Sequence, residues 1–204
     1  MAKPLDLFVT RIYREEIPGA AMLNHELETT ALSLSTGDRA GLRWCEKHDY
    51  PGYTSFASVH DLADRFREFA KLEKIIRGHT RLFAQQLHWE MRGKKPICDS
   101  LWVSVMSEGG SHSSHIHTNS VISGTYYVAV PDGAGPLIFE DPRAGLLMAA
   151  PPRKGSAPRE LRTHVSETPG PGTLLLWESW LRHEVPLNRA AGNRISVSFN
   201  YVLG

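Results

Sequence analysis

The chain has 204 residues, of which 41% are hydrophobic and 22% charged, with a formal net charge of +1. Such values describe a soluble globule of one domain's size and exclude a disordered chain, a coiled coil and a collagen-like fibre. The charge balance supplies no basic field for nucleic acid, and no apolar run approaches the roughly 18 residues that a membrane span requires. The opening residues Met1-Ala-Lys-Pro-Leu-Asp6 lack the apolar core of a secretory signal, so a cytoplasmic location is expected. Cys45 and Cys98 are too few for a disulfide scaffold and share no metal-ligand spacing, which fits two reduced thiols. A homodimer is the expected assembly for a soluble protein of this size. Ten histidines are present, and His112, His115 and His117 fall within six residues.

In chain order, residues 7–13 carry the β-branched and aromatic residues of a strand. From 20 to 34, Met22, Leu23, Leu27 and Leu32 have an approximately helical period. Gly37, Gly41, Pro51 and Gly52 predict an irregular stretch over 35–57. Ser58-Val-His-Asp61 has the pattern of a helix-capping box. Leu62, Phe66, Phe69, Leu72 and Ile76 then mark one apolar helix face, continued by Phe83 and Leu87, with Gly78 as a kink or break. Beyond Pro96 short β-rich segments recur at 99–106, 121–130, 137–140, 161–166, 173–178, 181–187 and 194–203. Eight of the thirteen prolines lie between Pro131 and Pro171, which excludes helix there. The expected architecture is mainly β with N-terminal helices, one domain over 1–204. Its helical part, 1–95, packs on a sandwich or barrel formed by 96–204.

His115-Ile-His117 presents two imidazoles on one face of an extended segment, so both can reach one metal ion. His112, three residues earlier, is expected in the preceding glycine loop, exposed or behind the ligands. His183 is the best third ligand, with a core histidine beside two tryptophans as its alternative. Along 194–201, Arg194, Ser196, Ser198 and Asn200 share one face, while Ile195, Val197, Phe199 and Tyr201 share the other. Inside a ligand-binding barrel the polar face turns inward, where an Arg and a Ser two residues apart can hold a carboxylate.

The order His115-x-His117, His183 and Arg194-x-Ser196 resembles the signature of 2-oxoglutarate- and Fe(II)-dependent oxygenases. Ser123-Gly-Thr-Tyr-Tyr-Val128, Glu140-Asp-Pro-Arg143 and Arg194-Ile-Ser-Val-Ser-Phe-Asn200 are similar to a bacterial branch of that superfamily. The likeness covers residues 98–204 well and the N-terminal half loosely. It implies a double-stranded β-helix (a cupin-like jelly roll), with Fe(II) on His115, His117 and His183. It further implies that Arg194 and Ser196 hold the distal carboxylate of the co-substrate 2-oxoglutarate, joined by Tyr127, whose alternative is a space-filling barrel tyrosine. The implied activity is C–H hydroxylation coupled to decarboxylation of 2-oxoglutarate to succinate, on a small molecule or peptide that the sequence does not identify.

His117 stands where the superfamily usually places a carboxylate. Three neutral imidazoles leave Fe(II) with a local charge of +2, which dianionic 2-oxoglutarate brings to zero. Glu140 and Asp141 are alternative carboxylates with no spacing that puts them on the metal. A cupin-type three-His enzyme shares the Gly109…His115-x-His117 pattern but wants a Glu within 118–122, which is missing. A three-His zinc hydratase, which leaves Arg194 without a role, and a jelly-roll binding module whose histidines are incidental are further alternatives. The loops at 46–57 and 141–160, the latter with Pro151-Pro-Arg-Lys154 and Arg159, are expected to line the entrance.

Overall fold

The computed structural model describes residues 3–204; Met1 and Ala2 of the N-terminal stretch read above lie outside the described residues. Two antiparallel sheets face each other. The larger has the strand order β1-β8-β5-β10-β3-β2 and the smaller β4-β9-β6-β7. Their strands are β1 (Ile12–Glu16), β2 (Tyr53–Thr54), β3 (Pro96–Met106), β4 (His112–His115), β5 (Ile122–Ala129), β6 (Leu137–Glu140), β7 (His164–Glu167), β8 (Thr173–Glu178), β9 (His183–Val185) and β10 (Arg194–Leu203). This is the double-stranded β-helix. Helices α1 (Ala21–Gly37), α2 (Arg39–Lys47), α3 (Leu62–Arg65) and α4 (Arg67–Gln86) are contributed by the N-terminal part. No helix among the described residues is long and apolar enough to cross a membrane.

Alternation along each strand of the large sheet divides the apolar residues between two cores. Val103 and Val105 of β3, Tyr126 and Val128 of β5, Leu174 and Leu176 of β8, and Ile195, Val197, Phe199 and Tyr201 of β10 point to the helices. There they meet Phe69, Leu72, Ile76 and Phe83 of α4 and Leu27 and Ala31 of α1, so the predicted α4 stripe does cover the sheet. The opposite residues, among them Met106, Tyr127, Leu175 and Trp177, enclose a second core with Leu137, Phe139 and Val185 of the small sheet. Arg194, Ser196 and Asn200 are buried on that same inner side.

Several expectations need correction. The first strand begins at Ile12, because only residues 12–16 find partners, on Thr173–Trp177 of β8; Leu7, Phe8 and Val9 are exposed. The stretch 35–57 contains α2, started by Asp38, whose carboxylate accepts from the amides of Ala40 and Gly41 at 3.2 and 3.0 Å. Gly41 there permits close packing and is no breaker: a Cβ would lie 2.3 Å from Asp38 Oδ2. Ser58 caps no helix and instead donates to the Asp38 carboxylate. The interruption in the long apolar stripe falls at extended Phe66, and α4 runs unbroken through Gly78. Strand β2 had no prediction; the extended reading of His115-Ile-His117 holds only at His115, the last residue of β4, which also takes in His112 where a loop is expected.

Glycine chemistry separates two positions. A Cβ on Gly124 of β5 would sit 2.4 Å from the Phe199 ring and 2.5 Å from the Leu175 carbonyl, whereas one on helical, exposed Gly78 meets nothing within 4 Å. Gly124→Ala is therefore expected to destabilise the fold by about 1–3 kcal/mol. Gly78→Ala should stabilise it by about 0.5–1 kcal/mol. Urea denaturation of the two variants against the parent checks the pair, and the same sign for both would contradict this packing.

Candidate metal centre and co-substrate pocket

The strand ends bring three histidines together. His115 at the end of β4 faces His183 at the start of β9 in register, and His117 lies just beyond β4, its amide donating to the Ser179 carbonyl at 3.0 Å. One ring nitrogen from each of His115, His117 and His183 lies within 4.8 Å of the others, a spread suited to one metal ion. His115 Nδ1 is 2.7 Å from the Ser113 carbonyl and His183 Nδ1 is 2.9 Å from the Leu181 carbonyl. A carbonyl only accepts, so both Nδ1 atoms carry the proton and both Nε2 lone pairs remain free. His117 Nε2 is buried with no hydrogen-bond partner.

Burial, reinforced by repulsion from neighbouring imidazoles, pushes His183 down to about 3 and His117 to about 4. Burial lowers His115 as well. The cluster is therefore neutral at pH 7, the protonation state that a metal ligand needs. His112 extends it: its ring stacks on His115 at 4.2 Å and meets Tyr50 edge-on at 5.6 Å. Neither Glu140 nor Asp141 belongs to the cluster. Asp141 is held by Arg143 at 2.9 Å, and Glu140 faces Arg182 at 3.8 Å.

A polar network fixes the backbone behind His117. Ser123 Oγ donates to Asn200 Oδ1 at 2.8 Å and lies 2.8 Å from Ser179 Oγ, while Asn200 Nδ2 donates to Ser100 Oγ at 3.3 Å. Having spent its one proton on Asn200, the Ser123 hydroxyl accepts from Ser179. The network thus ties β5, β10 and β3 to the turn that carries the His117 contact.

Arg194 supplies the opposite requirement. Its side chain is 1% exposed, yet Nε and Nη2 have no partner. Its Cζ lies 5.0 Å from the centroid of the Tyr127 ring, a cation–π contact, and the Tyr127 hydroxyl is buried and unpaired. The Tyr127 ring packs in the second core and its hydroxyl has no partner. Ser196, 4% exposed, lies opposite Tyr127 and Ser104 in register on the same inner face. Tyr50 OH and Trp177 Nε1 are also buried without partners. Burial pushes the Tyr50 phenol up to about 12, so it is a donor at neutral pH. A guanidinium costs several kcal/mol to bury unpaired. Its free N–H groups, with the nearby free hydroxyls, fit a carboxylate-bearing ligand, and 2-oxoglutarate carries one at each end.

Tyr50 and Trp177 were not singled out as site residues. Trp177 was within reach, since alternation in Thr173–Glu178 puts it on the face of Leu175. Tyr50 falls in the turn 46–57 expected at the entrance, but no local pattern singles it out, because its position depends on the α2–β2 connection.

Residues 100–200 match the family model described as "Putative 2OG-Fe(II) oxygenase". No curated protein matches the chain. Among solved structures, a Pseudomonas putida prolyl-4-hydroxylase is 12% identical and superposes at TM-score 0.59 over 94% of this chain and 92% of its own. The epimerase SnoN, solved with Fe3+, alpha ketoglutarate and nogalamycin RO, is 15% identical at TM-score 0.63, covering 95% of this chain and 79% of SnoN. A Burkholderia pseudomallei oxidoreductase of the 2OG-Fe(II) oxygenase family is 17% identical at TM-score 0.43; 60% of this chain spans 51% of that one. The structural likenesses concern the fold, and the match over 100–200 concerns the segment that carries all three histidines and Arg194. By that segment, 101 of the 204 residues, the chain is similar to the 2OG-Fe(II) oxygenase family.

Proposed function

We propose that the chain acts over 1–204 as one oxygenase domain, binding Fe(II) through His115, His117 and His183 and 2-oxoglutarate through Arg194, Ser196 and Tyr127. The observation that carries this reading is the buried guanidinium with free N–H groups in the same barrel as a neutral three-histidine cluster. A cupin-type enzyme without a keto acid, a zinc hydratase or a plain binding module gives that charge no counterion. With iron and 2-oxoglutarate bound, the centre supplies oxidative decarboxylation: 2-oxoglutarate, O2 and R–H become succinate, CO2 and R–OH.

The protein's own contribution is positioning. Arg194 and the Ser196 and Tyr127 hydroxyls orient one carboxylate, and the carbonyls of Ser113 and Leu181 fix the imidazole tautomers. The Trp177 ring, 4.7 Å from His183, and Phe139, 5.3 Å from Trp177, line that side with apolar surface and keep water from it. No side-chain acid or base is assigned beyond the ligands. The substrate is a small molecule or peptide, since the +1 charge gives nucleic acid little attraction. A cytoplasmic setting accords with the two free cysteines.

Iron-loaded protein should convert 2-oxoglutarate to succinate slowly without a prime substrate, and His183→Ala should abolish both iron retention and succinate formation. Iron retention without succinate would contradict the co-substrate assignment. Arg194→Met is expected to weaken 2-oxoglutarate binding by about 2–4 kcal/mol. The same change should leave the ligand-free fold as stable or up to about 4 kcal/mol more stable, because a buried unpaired charge is removed. Calorimetric titration and thermal melting check the two halves. A variant that melts lower and binds normally would remove Arg194 from the pocket.

A further inference from the structure

The long connection between β6 and β7 leaves the barrel at its metal-bearing end. His115 pairs with His183, His183 with Phe139, and Phe139 with Val165 across the small sheet. The next pair, Glu140 and His164, flanks the connection, whose base is closed by the Asp141 amide donating to the Thr163 carbonyl at 2.8 Å. Two strand spacings put this base on the order of 10 Å from the His183 backbone.

Within the connection lies a cleft of about 410 Å³, formed by Leu147, Ala150–Gly155 and Arg162–His164. Arg153, Lys154 and Arg162 line it together with His164, and no carboxylate does. Of the nearby acids, Asp141 is held by Arg143, Glu140 faces Arg182 and Glu167 is held by Arg14 and Arg159, while Glu160 lies outside the cleft lining. Among the described residues Arg153, Lys154 and Arg162 form no ion pair. Arg162 Nε donates to the Ala157 carbonyl at 2.8 Å, which holds that guanidinium against the loop. In a chain of net charge +1, three unpaired cations in one concave site are a local excess with a direction.

We propose that this cleft is the anion subsite for the prime substrate. That substrate is then a small molecule carrying a phosphate or carboxylate group away from the carbon to be oxidised. The substrate role rests on the oxygenase reading; the capture of an anion does not. Fork-shaped guanidiniums suit either group, and the side chains' exposure makes the attraction dependent on salt.

The test is a site-resolved amide NMR titration of the full chain with inorganic phosphate and, separately, acetate, each against sodium chloride at matched ionic strength. Saturable shifts are expected at Arg153, Lys154 and Arg162–His164. They should weaken as salt rises and need at least about tenfold more anion in Arg153→Gln/Lys154→Gln/Arg162→Gln. Response to phosphate alone assigns a phosphate ester, and a response to both admits a carboxylate. No saturable shift in the parent chain, shifts confined to the Arg194 pocket, or equal shifts in the triple variant would overturn the proposal. Succinate formation by the parent chain is measured separately. Succinate with a silent titration sinks the anion subsite alone; shifts at the cleft without succinate keep the anion site and sink its substrate role together with the oxygenase reading.

Discussion

An uncompensated guanidinium at the centre of a β-sandwich is the constraint around which this molecule is organised. Arg194 is 1% exposed and its Nε and Nη2 find no acceptor. Leaving that charge unpaired costs more than any one packing contact returns, so the site is built for a ligand that brings an acceptor. The inward face of β10, the free Tyr127 and Tyr50 hydroxyls and the neutral histidines share that barrel interior, which on the proposed reading takes an anion and a metal. The fold bears the cost through its other core, where α1 and α4 seal the outer face of the large sheet with mainly apolar contacts, to which the Tyr126 hydroxyl adds a hydrogen bond to Asn24 and the Tyr201 hydroxyl one to Glu73.

That division also explains why the N-terminal part is more than a cover. It supplies both edge strands of the large sheet, β1 on β8 and β2 on β3. Through the turn that leads into β2 it delivers Tyr50 to the pocket, where the ring meets His112. The Asp38 carboxylate holds this connection together: it starts α2 and accepts from the Tyr53 and Ser58 hydroxyls. The helices and the barrel are thus coupled through polar contacts as well as through the core.

The C-terminal half was largely legible because its period-two alternation is strong and its turns are marked by proline and glycine. Strands β6 and β8 coincide with short apolar runs and β10 with the alternating segment, whose polar face at 194–200 does turn inward. The helical half was legible only in its apolar stripe. Gly41 and Gly78 were read as breakers, although the first allows a close approach to Asp38 and the second sits harmlessly on an exposed helix face. Ser58 has the spacing of a cap, but its hydroxyl is claimed by a carboxylate twenty residues earlier. Local pattern has no means of registering such a long-range competitor. Tyr50 was missed for the same reason: its role comes from the packing of a connection and not from any period.

His117 is where the family pattern and this chain part. Three neutral imidazoles leave Fe(II) one unit more positive than two imidazoles and a carboxylate would, and a dianionic keto acid brings the three-histidine centre from +2 to zero. Electrostatics therefore favours co-substrate binding at this centre even without the usual acidic ligand, while changing the potential of the iron. The most direct measurement is an anaerobic titration of metal-free protein with Fe(II) and then 2-oxoglutarate, followed by visible absorption. The three-histidine centre with its Arg194 anchor predicts a saturable metal-to-ligand charge-transfer band that Arg194→Met shifts to far higher keto acid concentration. Iron binding with no band at any 2-oxoglutarate concentration would contradict it.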